Sequence, residues 1–112
     1  MIYATGDTHG NFQRFDAKYF PEQAGMTKDD YMIICGDFGG VWDNSNKEKQ
    51  RLDWLEALPF TTLFVSGNHE NFDMMREYPV EEWNGGKIQR IRPHVIHLMR
   101  SQIFDLQGYS FF

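Results

Sequence analysis

The chain opens with a short apolar stretch that leads into a polar, glycine-flanked turn, IYATGDTHG over residues 2–10. A continuous apolar run followed by glycine and polar residues is typical of a strand buried in a parallel sheet. The same arrangement returns twice, as YMIICGDFGG over residues 31–40 and as TTLFVSGNHE over residues 61–70. These stretches predict three parallel strands, at residues 2–5, 31–35 and 61–65, each ending in a turn that carries acidic, amide or imidazole side chains.

Amphipathic segments between and after these strands predict helices. The first follows Asn11 as its N-cap, repeats aromatic residues at helical spacing and ends at Pro21. The second spans Lys47 to Leu58, and a short third one ends at Pro79. The pattern then becomes strand-like and predicts four short strands, the later ones antiparallel, over residues 87–91, 95–99, 103–106 and 109–112. This order indicates an α/β fold, a βαβαβ layered sheet with helices on both faces followed by short antiparallel strands.

The composition is that of a globular protein. The chain has 112 residues, of which 41% are hydrophobic and 24% charged, which excludes wholesale disorder. No apolar run approaches the roughly 20 residues of a membrane span. The single cysteine, Cys35, cannot form an internal disulfide, so we expect a cytoplasmic protein. The net charge of −5 argues against a basic nucleic-acid-binding surface, although a bound cation can still attract a phosphate substrate.

The end of the sequence bears on domain organisation. The chain stops inside an apolar, strand-like stretch at residues 109–112, whereas chain ends are usually polar and frayed. We therefore expect residues 1–112 to be a single partial domain, the N-terminal portion of a larger one. An unpaired apolar strand at such an edge favours pairing between chains, so we also expect self-association there.

Polar side chains follow each of the three predicted parallel strands at the point where the strand ends. Asp7 and Asp37 are 30 residues apart, and Asp37 and Asn68 are 31 apart, each close to one strand–helix–strand repeat. Because the carboxyl ends of parallel strands meet at one edge, we expect these side chains at the same rim. His9 and His69 lie in the same turns. Such a mixture of oxygen and nitrogen ligands suits Mn, Fe, Zn or Ni better than Ca or a thiolate zinc site.

Each residue type also has an ordinary structural interpretation. Asp and Asn after a strand commonly cap helices or form turns, and it is their conjunction at three successive strand ends that favours a metal site. His94 and His97 lie in or beside a strand-like run, and we expect ordinary sheet positions for them. Cys35 is expected in the core and Trp54 as a packing residue. A solvated helix face is expected for Lys47, Glu48, Lys49 and Arg51.

The three turns, GDTHG at residues 6–10, GD at 36–37 and GNHE at 67–70, resemble the first three blocks of the calcineurin-like metallophosphoesterase superfamily. The resemblance implies a truncated form of that superfamily's four-layer α/β/β/α fold. It also implies a metal-dependent phosphoesterase that hydrolyses a phosphomonoester or phosphodiester with a hydroxide activated by two divalent metal ions. Nucleic acid then enters only as a phosphodiester substrate, and no membrane is involved.

The resemblance also implies a role for each site residue. Asp7 and His9 would ligate the first metal, and Asp37 would bridge both metals. Asn68 would ligate the second metal and contact the substrate phosphate. His69 would contact the phosphate and act on the leaving group as the general acid.

The sequence departs from the superfamily pattern in two places. Residues 38–42 read FGGVW, where the phosphoprotein phosphatases continue with Asp-Arg-Gly, so their phosphate-gripping arginine is absent. The later ligand motifs, an isolated His and a G-H-x-H turn, are not found. An alternative is therefore a non-catalytic, self-associating truncated module. Dinucleotide binding is disfavoured because the first turn lacks a G-x-G-x-x-G pattern.

Overall fold

The structure is a computed structural model that describes residues 2–6, 8, 10–36, 38–41, 45–65, 72–99 and 103–111. Within these ranges the elements are, in chain order, β1 Ile2–Thr5, β2 Tyr31–Cys35, α1 Asn46–Ala57, β3 Thr61–Val65, α2 Phe72–Met75, β4 Val80–Trp83, β5 Gly86–Arg92, β6 Val95–Leu98, β7 Phe104–Leu106 and β8 Tyr109–Phe111. Two short 3₁₀-helices, Gln13–Phe15 and Pro21–Gly25, connect β1 to β2. None of the helices in these ranges is long and apolar enough to cross a membrane.

Six strands form one mixed sheet in the order β1-β2-β3-β6-β5-β4, and β7 pairs with β8 in a second, two-stranded sheet. The strands β1, β2, β3 and β6 run parallel to one another, whereas β5 is antiparallel to β6 and to β4. Thr5 is paired with Ile34, and Cys35 with Val65. The first three strands therefore end side by side, and the predicted α/β fold class is confirmed.

The alternation of side chains along the strands separates the buried apolar residues into two clusters. Phe64 and Ile34 belong to the cluster that includes Leu55 of α1. Leu63 belongs to the other cluster, together with Phe104 of β7. The helices of the described ranges thus cover one face of the large sheet, and a second sheet covers the other. Helices were expected on both faces of the large sheet, but on the second face β7 supplies the apolar cover. The order of helix, sheet and sheet agrees with three of the four layers of the expected α/β/β/α fold.

The connection between β1 and β2 differs from its prediction. A single helix ending at Pro21 was expected, but two 3₁₀-helices form, and Pro21 begins the second one, where its missing N–H costs nothing. The ring of Phe60 contacts those of Phe15 and Phe20 edge-on, with centroids 6.0 and 5.9 Å apart. Burying these rings in one cluster outweighs the helical spacing of the sequence.

The helix α1 agrees with its prediction to within one residue at each end. Ser45 caps it, since its Oγ accepts a hydrogen bond from the N–H of Glu48 at 3.2 Å. At the other end the ammonium of Lys28 donates to the carbonyls of Leu58, at 2.6 Å, and of Phe60, at 3.3 Å. A positive charge at the C-terminal end of α1 interacts favourably with the helix dipole, whose negative end lies there.

Three further expectations change. β4 was not predicted, because its side chains are mostly exposed and its sequence, VEEW, lacks an apolar face. β8 pairs with β7, so the last strand is not the unpaired strand that the sequence suggested, and self-association stays a prediction. Cys35 is exposed rather than in the core, because it is the last residue of β2.

Candidate metal centre

The predicted ligands follow the carboxyl ends of β1, β2 and β3. Asp7, His9, Asp37, Asn68 and His69 themselves lie outside the described residues. The strands that precede them are parallel neighbours in the sheet, with their last residues paired. The three turns therefore start side by side at one edge, which is the arrangement that the sequence spacing predicts.

The turns after β1 and β2 are joined by two hydrogen bonds to one carbonyl. The N–H of Gly10 donates to the carbonyl oxygen of Phe38 at 2.8 Å, and the Thr8 hydroxyl donates to the same oxygen at 2.7 Å. Thr8 is buried, and it stands between Asp7 and His9 in the sequence. Because Phe38 directly follows Asp37, these bonds hold together the two turns that carry three of the predicted ligands.

Glycine is required at position 10. Its φ is +78°, and a Cβ there would lie 2.9 Å from the carbonyl oxygen of Gly39. Any other residue would strain the backbone and push the two turns apart. The second glycine of the GDTHG turn is thus explained by the close approach of the next turn.

A stack of rings lies beneath these turns. The ring of Phe38 stacks on Phe64 of β3, with centroids 3.9 Å apart and planes 11° apart. Phe64 in turn stacks on the imidazole of His97 in β6, with centroids 5.1 Å apart. All three side chains are buried, so the residue that follows Asp37 is fixed against the centre of the sheet.

The imidazole of His97 continues this support towards α2. Its Nδ1 lies 2.9 Å from Oε1 of Gln89. The amide nitrogen of Gln89 donates to the carbonyls of Met75, at 2.8 Å, and Tyr78, at 3.1 Å. Because that nitrogen is the donor, the amide oxygen accepts, and Nδ1 is the protonated ring nitrogen of His97. This network anchors the helix that follows residues 66–71.

The other histidine of this region lies far from the strand ends. His94 precedes β6, and its backbone N–H and Nδ1 bind the two carboxylate oxygens of Glu56 at 2.6 and 2.7 Å. Lys28 lies 3.7 Å from the same carboxylate. Burial alone would raise the pKa of Glu56, but the hydrogen bonds and charge of His94, with the charge of Lys28, lower that pKa below its usual value. Both histidines thus hold ordinary structural positions, as expected.

A cleft of about 480 Å³ opens beside the turn after β1. One wall is formed by the loop at residues 10–13, and the other by Lys47, Gln50, Arg51 and Trp54 of α1. The sequence interpretation of this helix face as solvated surface and packing missed the cleft. The signal was available, since positions 47, 50, 51 and 54 share one side of a helix.

In the part of the chain that the structure describes, no group of three or more His, Cys, Asp or Glu residues could hold a metal. The donor set that fits a metal is the one in the three turns, because its carboxylate, imidazole and amide groups suit divalent transition metals. The adjacent strand ends give these groups a common starting edge.

Comparison with known proteins agrees with this fold. Lariat debranching enzyme from Drosophila melanogaster is 25% identical over 122 aligned residues, which cover 96% of this chain and 22% of that protein. The enzyme from Drosophila pseudoobscura pseudoobscura is also 25% identical, over 96% of this chain and 21% of its own length. Lariat debranching enzyme A from Xenopus laevis is 23% identical, over 96% and 22%. The chain spans about a fifth of the length of these relatives.

No solved structure gives a significant match. A family model described as calcineurin-like phosphoesterase matches residues 1–109, nearly the whole chain. The parallel strands and the glycine-flanked turns that follow them occur within the matched segment. The chain therefore belongs to the calcineurin-like phosphoesterase family.

Proposed function

We propose that this chain is the N-terminal part of a metal-dependent phosphoesterase domain that hydrolyses a phosphomonoester or phosphodiester. The observation that carries the proposal is the alignment of β1, β2 and β3, whose carboxyl ends lie side by side and lead into the three donor-bearing turns. Family membership adds the expectation of two divalent metal ions. Manganese is the ion that we propose to test first.

The five turn residues divide into two sets of ligands and one acid. We assign Asp7 and His9 to the first metal, Asp37 to both metals, and Asn68 to the second metal. Two divalent cations, when bound, supply the positive charge that activates water and holds the phosphoryl oxygens. Asp37 suits the shared position because a carboxylate offers two oxygens to the metals. Asn68 can ligate a metal through its amide oxygen and donate a hydrogen bond to phosphate from its amide nitrogen.

His69 is assigned to the leaving group. A leaving alkoxide needs a proton as its bond to phosphorus breaks, and a neighbouring imidazolium can donate it. His69 can also donate a hydrogen bond to the phosphoryl oxygens. Its proposed work is thus on the substrate, so its loss should spare metal binding.

The site differs from that of the phosphoprotein phosphatases. The position after Asp37 is filled by Phe38, which is fully buried in the ring stack and offers no charge to a phosphate. This supports a substrate other than a phosphoprotein. Debranching of a lariat is a second candidate, favoured by the three lariat debranching enzymes that align over 96% of this chain. The cytoplasmic location inferred from Cys35 stays a prediction.

Manganese binding and hydrolysis, measured on the same preparations, test the proposal. The chain is titrated with manganese by calorimetry and assayed with bis(4-nitrophenyl) phosphate and 4-nitrophenyl phosphate. Because the chain lacks the later ligand motifs, we expect it to bind manganese weakly and to hydrolyse these esters poorly, and any hydrolysis should depend on the metal. Asp37→Asn should remove both, whereas the matched control Asp73→Asn, in an exposed ion pair with Arg76, should change neither. A wild-type chain that binds no manganese and cleaves neither ester would refute the proposal.

A further inference from the structure

The cleft beside the turn after β1 has the side chains of a ligand site. Lys47 and Arg51 bring two positive charges to one wall, in a chain whose net charge is −5. The guanidinium fork of arginine matches the oxygens of a phosphate. Between them, Gln50 supplies an amide that can donate and accept hydrogen bonds. This wall of the cleft is therefore suited to an anion.

The same wall offers a planar apolar surface. Trp54 lies one turn beyond Arg51 on α1, lines the cleft, and keeps 39% of its surface exposed. An indole of this kind is a platform on which a nucleobase can stack, and every base has a suitable face. A cation and an indole side by side on one helix face form a combination that recognises a phosphate attached to a flat ring.

The cleft adjoins the strand-end rim. Gly10, whose N–H is bonded to the carbonyl of Phe38, forms part of its lining. A Cβ built on Gly10 would lie only 3.6 Å from Nη1 of Arg51, so the guanidinium reaches over the turn that contains His9. An anion bound at Arg51 would consequently lie close to Gly10, in the turn that follows β1.

A second, smaller cleft of about 380 Å³ adjoins the first. The two share Asn11 and Gln13, and the second adds Arg14 and Tyr19. Arg14 donates from Nη1 to the hydroxyl of Thr5, the last residue of β1, at 2.9 Å. The second cleft thus lies beside the end of β1 and adds a third cation, Arg14, and a second exposed ring, Tyr19.

We propose that the cleft between the β1 turn and α1 binds a nucleotide unit of the ester that is cleaved at the strand ends. Arg51 and Lys47 hold a phosphate of this unit, and Trp54 stacks on its base. The link to cleavage rests on the proposed function, whereas binding in the cleft uses none of the predicted metal ligands. A free mononucleotide and one unit of a nucleic-acid chain present the same chemistry to these side chains.

Calorimetric titration without metal, in the presence of EDTA, tests the binding itself. AMP, inorganic phosphate and a tetra-adenylate are titrated into the full 112-residue chain. We expect AMP to bind about tenfold more tightly than phosphate, because of base stacking. A tetra-adenylate that binds more tightly than AMP identifies a unit within a nucleic-acid chain, and tighter binding of AMP identifies a free nucleotide.

Substitutions in the cleft separate the two contacts. Arg51→Gln should weaken AMP binding about tenfold, and Arg51→Lys should restore part of it. Trp54→Leu should weaken AMP binding about tenfold while phosphate binding stays unchanged, and Trp54→Phe should restore it. Arg76→Gln, which alters an exposed arginine paired with Asp73, is the matched control and should bind AMP like the wild type.

The results distinguish this proposal from the proposed function. AMP that binds no more tightly than phosphate, or that binds both Arg51→Gln and Trp54→Leu as it binds the wild type, overturns the nucleotide site. If the nucleotide site is overturned in this way but the chain hydrolyses the aryl esters, the proposed function is retained and only the nucleotide site is rejected. Specific AMP binding by a chain that binds no manganese and cleaves neither ester refutes the proposed function and leaves the nucleotide site in place.

Discussion

The hydrogen bond from Thr8 to the carbonyl of Phe38 allows a direct test of whether the turns after β1 and β2 act as one unit. The substitution Thr8→Val removes the hydroxyl and keeps the shape of the side chain. Thr8→Ser removes the methyl group and keeps the hydroxyl. The pair thus separates the hydrogen bond from the packing of a buried residue that is 3% exposed.

The magnitude follows from what remains after the substitution. The carbonyl of Phe38 still accepts the N–H of Gly10 at 2.8 Å, so Thr8→Val leaves no buried acceptor without a donor. The loss is therefore that of one net hydrogen bond, about 1 kcal/mol of unfolding free energy. For a chain of this length, such a loss lowers the melting temperature by about 4 °C.

The effect on metal binding should be larger than the effect on stability suggests. Thr8 lies between two predicted ligands, and its partner directly follows a third, so the bond fixes the distance between the turns. Groups that orient metal ligands typically contribute about tenfold or more to metal affinity. We expect manganese to bind Thr8→Val about tenfold more weakly than the wild type, and Thr8→Ser to stay within about threefold.

Urea unfolding followed by circular dichroism, without metal, measures the first quantity, and calorimetric titration with manganese measures the second. If Thr8→Ser is as unstable as Thr8→Val, the methyl group matters and the hydrogen bond does not. If Thr8→Val loses stability but binds manganese like the wild type, the bond does not position the ligands and the reasoning is wrong.

Three further predictions concern the acid, the ring stack and the carboxylate at the far end of the sheet. In a complete parent enzyme, His69→Ala should abolish most turnover in the ester assay while calorimetry shows near-normal manganese binding, unlike Asp37→Asn; equal metal loss in the two variants would contradict their separate roles. Phe64→Ala should lower the urea-unfolding free energy by about 3–5 kcal/mol and Phe64→Leu by far less, and equal losses would show that ring volume is unimportant. Because the folded-state pKa of Glu56 is lowered, its stabilisation is present above the unfolded-state pKa and lost as pH falls through the folded-state value. Urea unfolding between pH 7 and pH 3 should therefore show a shallower decline for Glu56→Gln, and an unchanged decline would count against the contact with His94.

The elements that the sequence predicts best are those in which local pattern and burial agree. β1, β2 and β3 have the predicted bounds. β2 and β3 are mostly buried, and a strand buried in a parallel sheet needs a continuous apolar run whatever surrounds it. β1 lies at the edge of the sheet and is only partly buried. α1 carries its own cap in Ser45 and its own buried leucines, so its ends follow from local chemistry.

The elements that the sequence misses depend on distant partners. The aromatic spacing after Asn11 suggests one helix, but Phe15 and Phe20 are drawn to Phe60, which comes 40 or more residues later. The sequence around β6 likewise suggests antiparallel pairing with a neighbouring strand, but β6 also pairs in parallel with β3, which lies about 30 residues earlier in the chain. In such cases burial against distant residues decides the structure, and the local sequence pattern carries no information about those residues.

The candidate site divides in the same way. The repeat of about 30 residues brings three strand ends to one rim, and this could be read from the sequence alone. The contacts that support the rim could not, because the bond from Thr8 to Phe38 and the amide of Gln89 join residues whose partners are set by the fold. The helix face that carries Arg51 was visible as a pattern, but its position beside the first turn was not.

The charge of the chain determines how a phosphate ester can be recognised. A net charge of −5 repels an anionic substrate at long range, so the chain gains nothing from electrostatic steering. Attraction must then be local, from bound metal ions at the rim and from the cations of α1. Residues 38–42 contain no arginine that could grip a phosphate, and Arg51 brings a guanidinium to the neighbouring turn from a different element. If both proposals hold, the rim acts on the scissile phosphate, and the cleft selects the group that is attached to it.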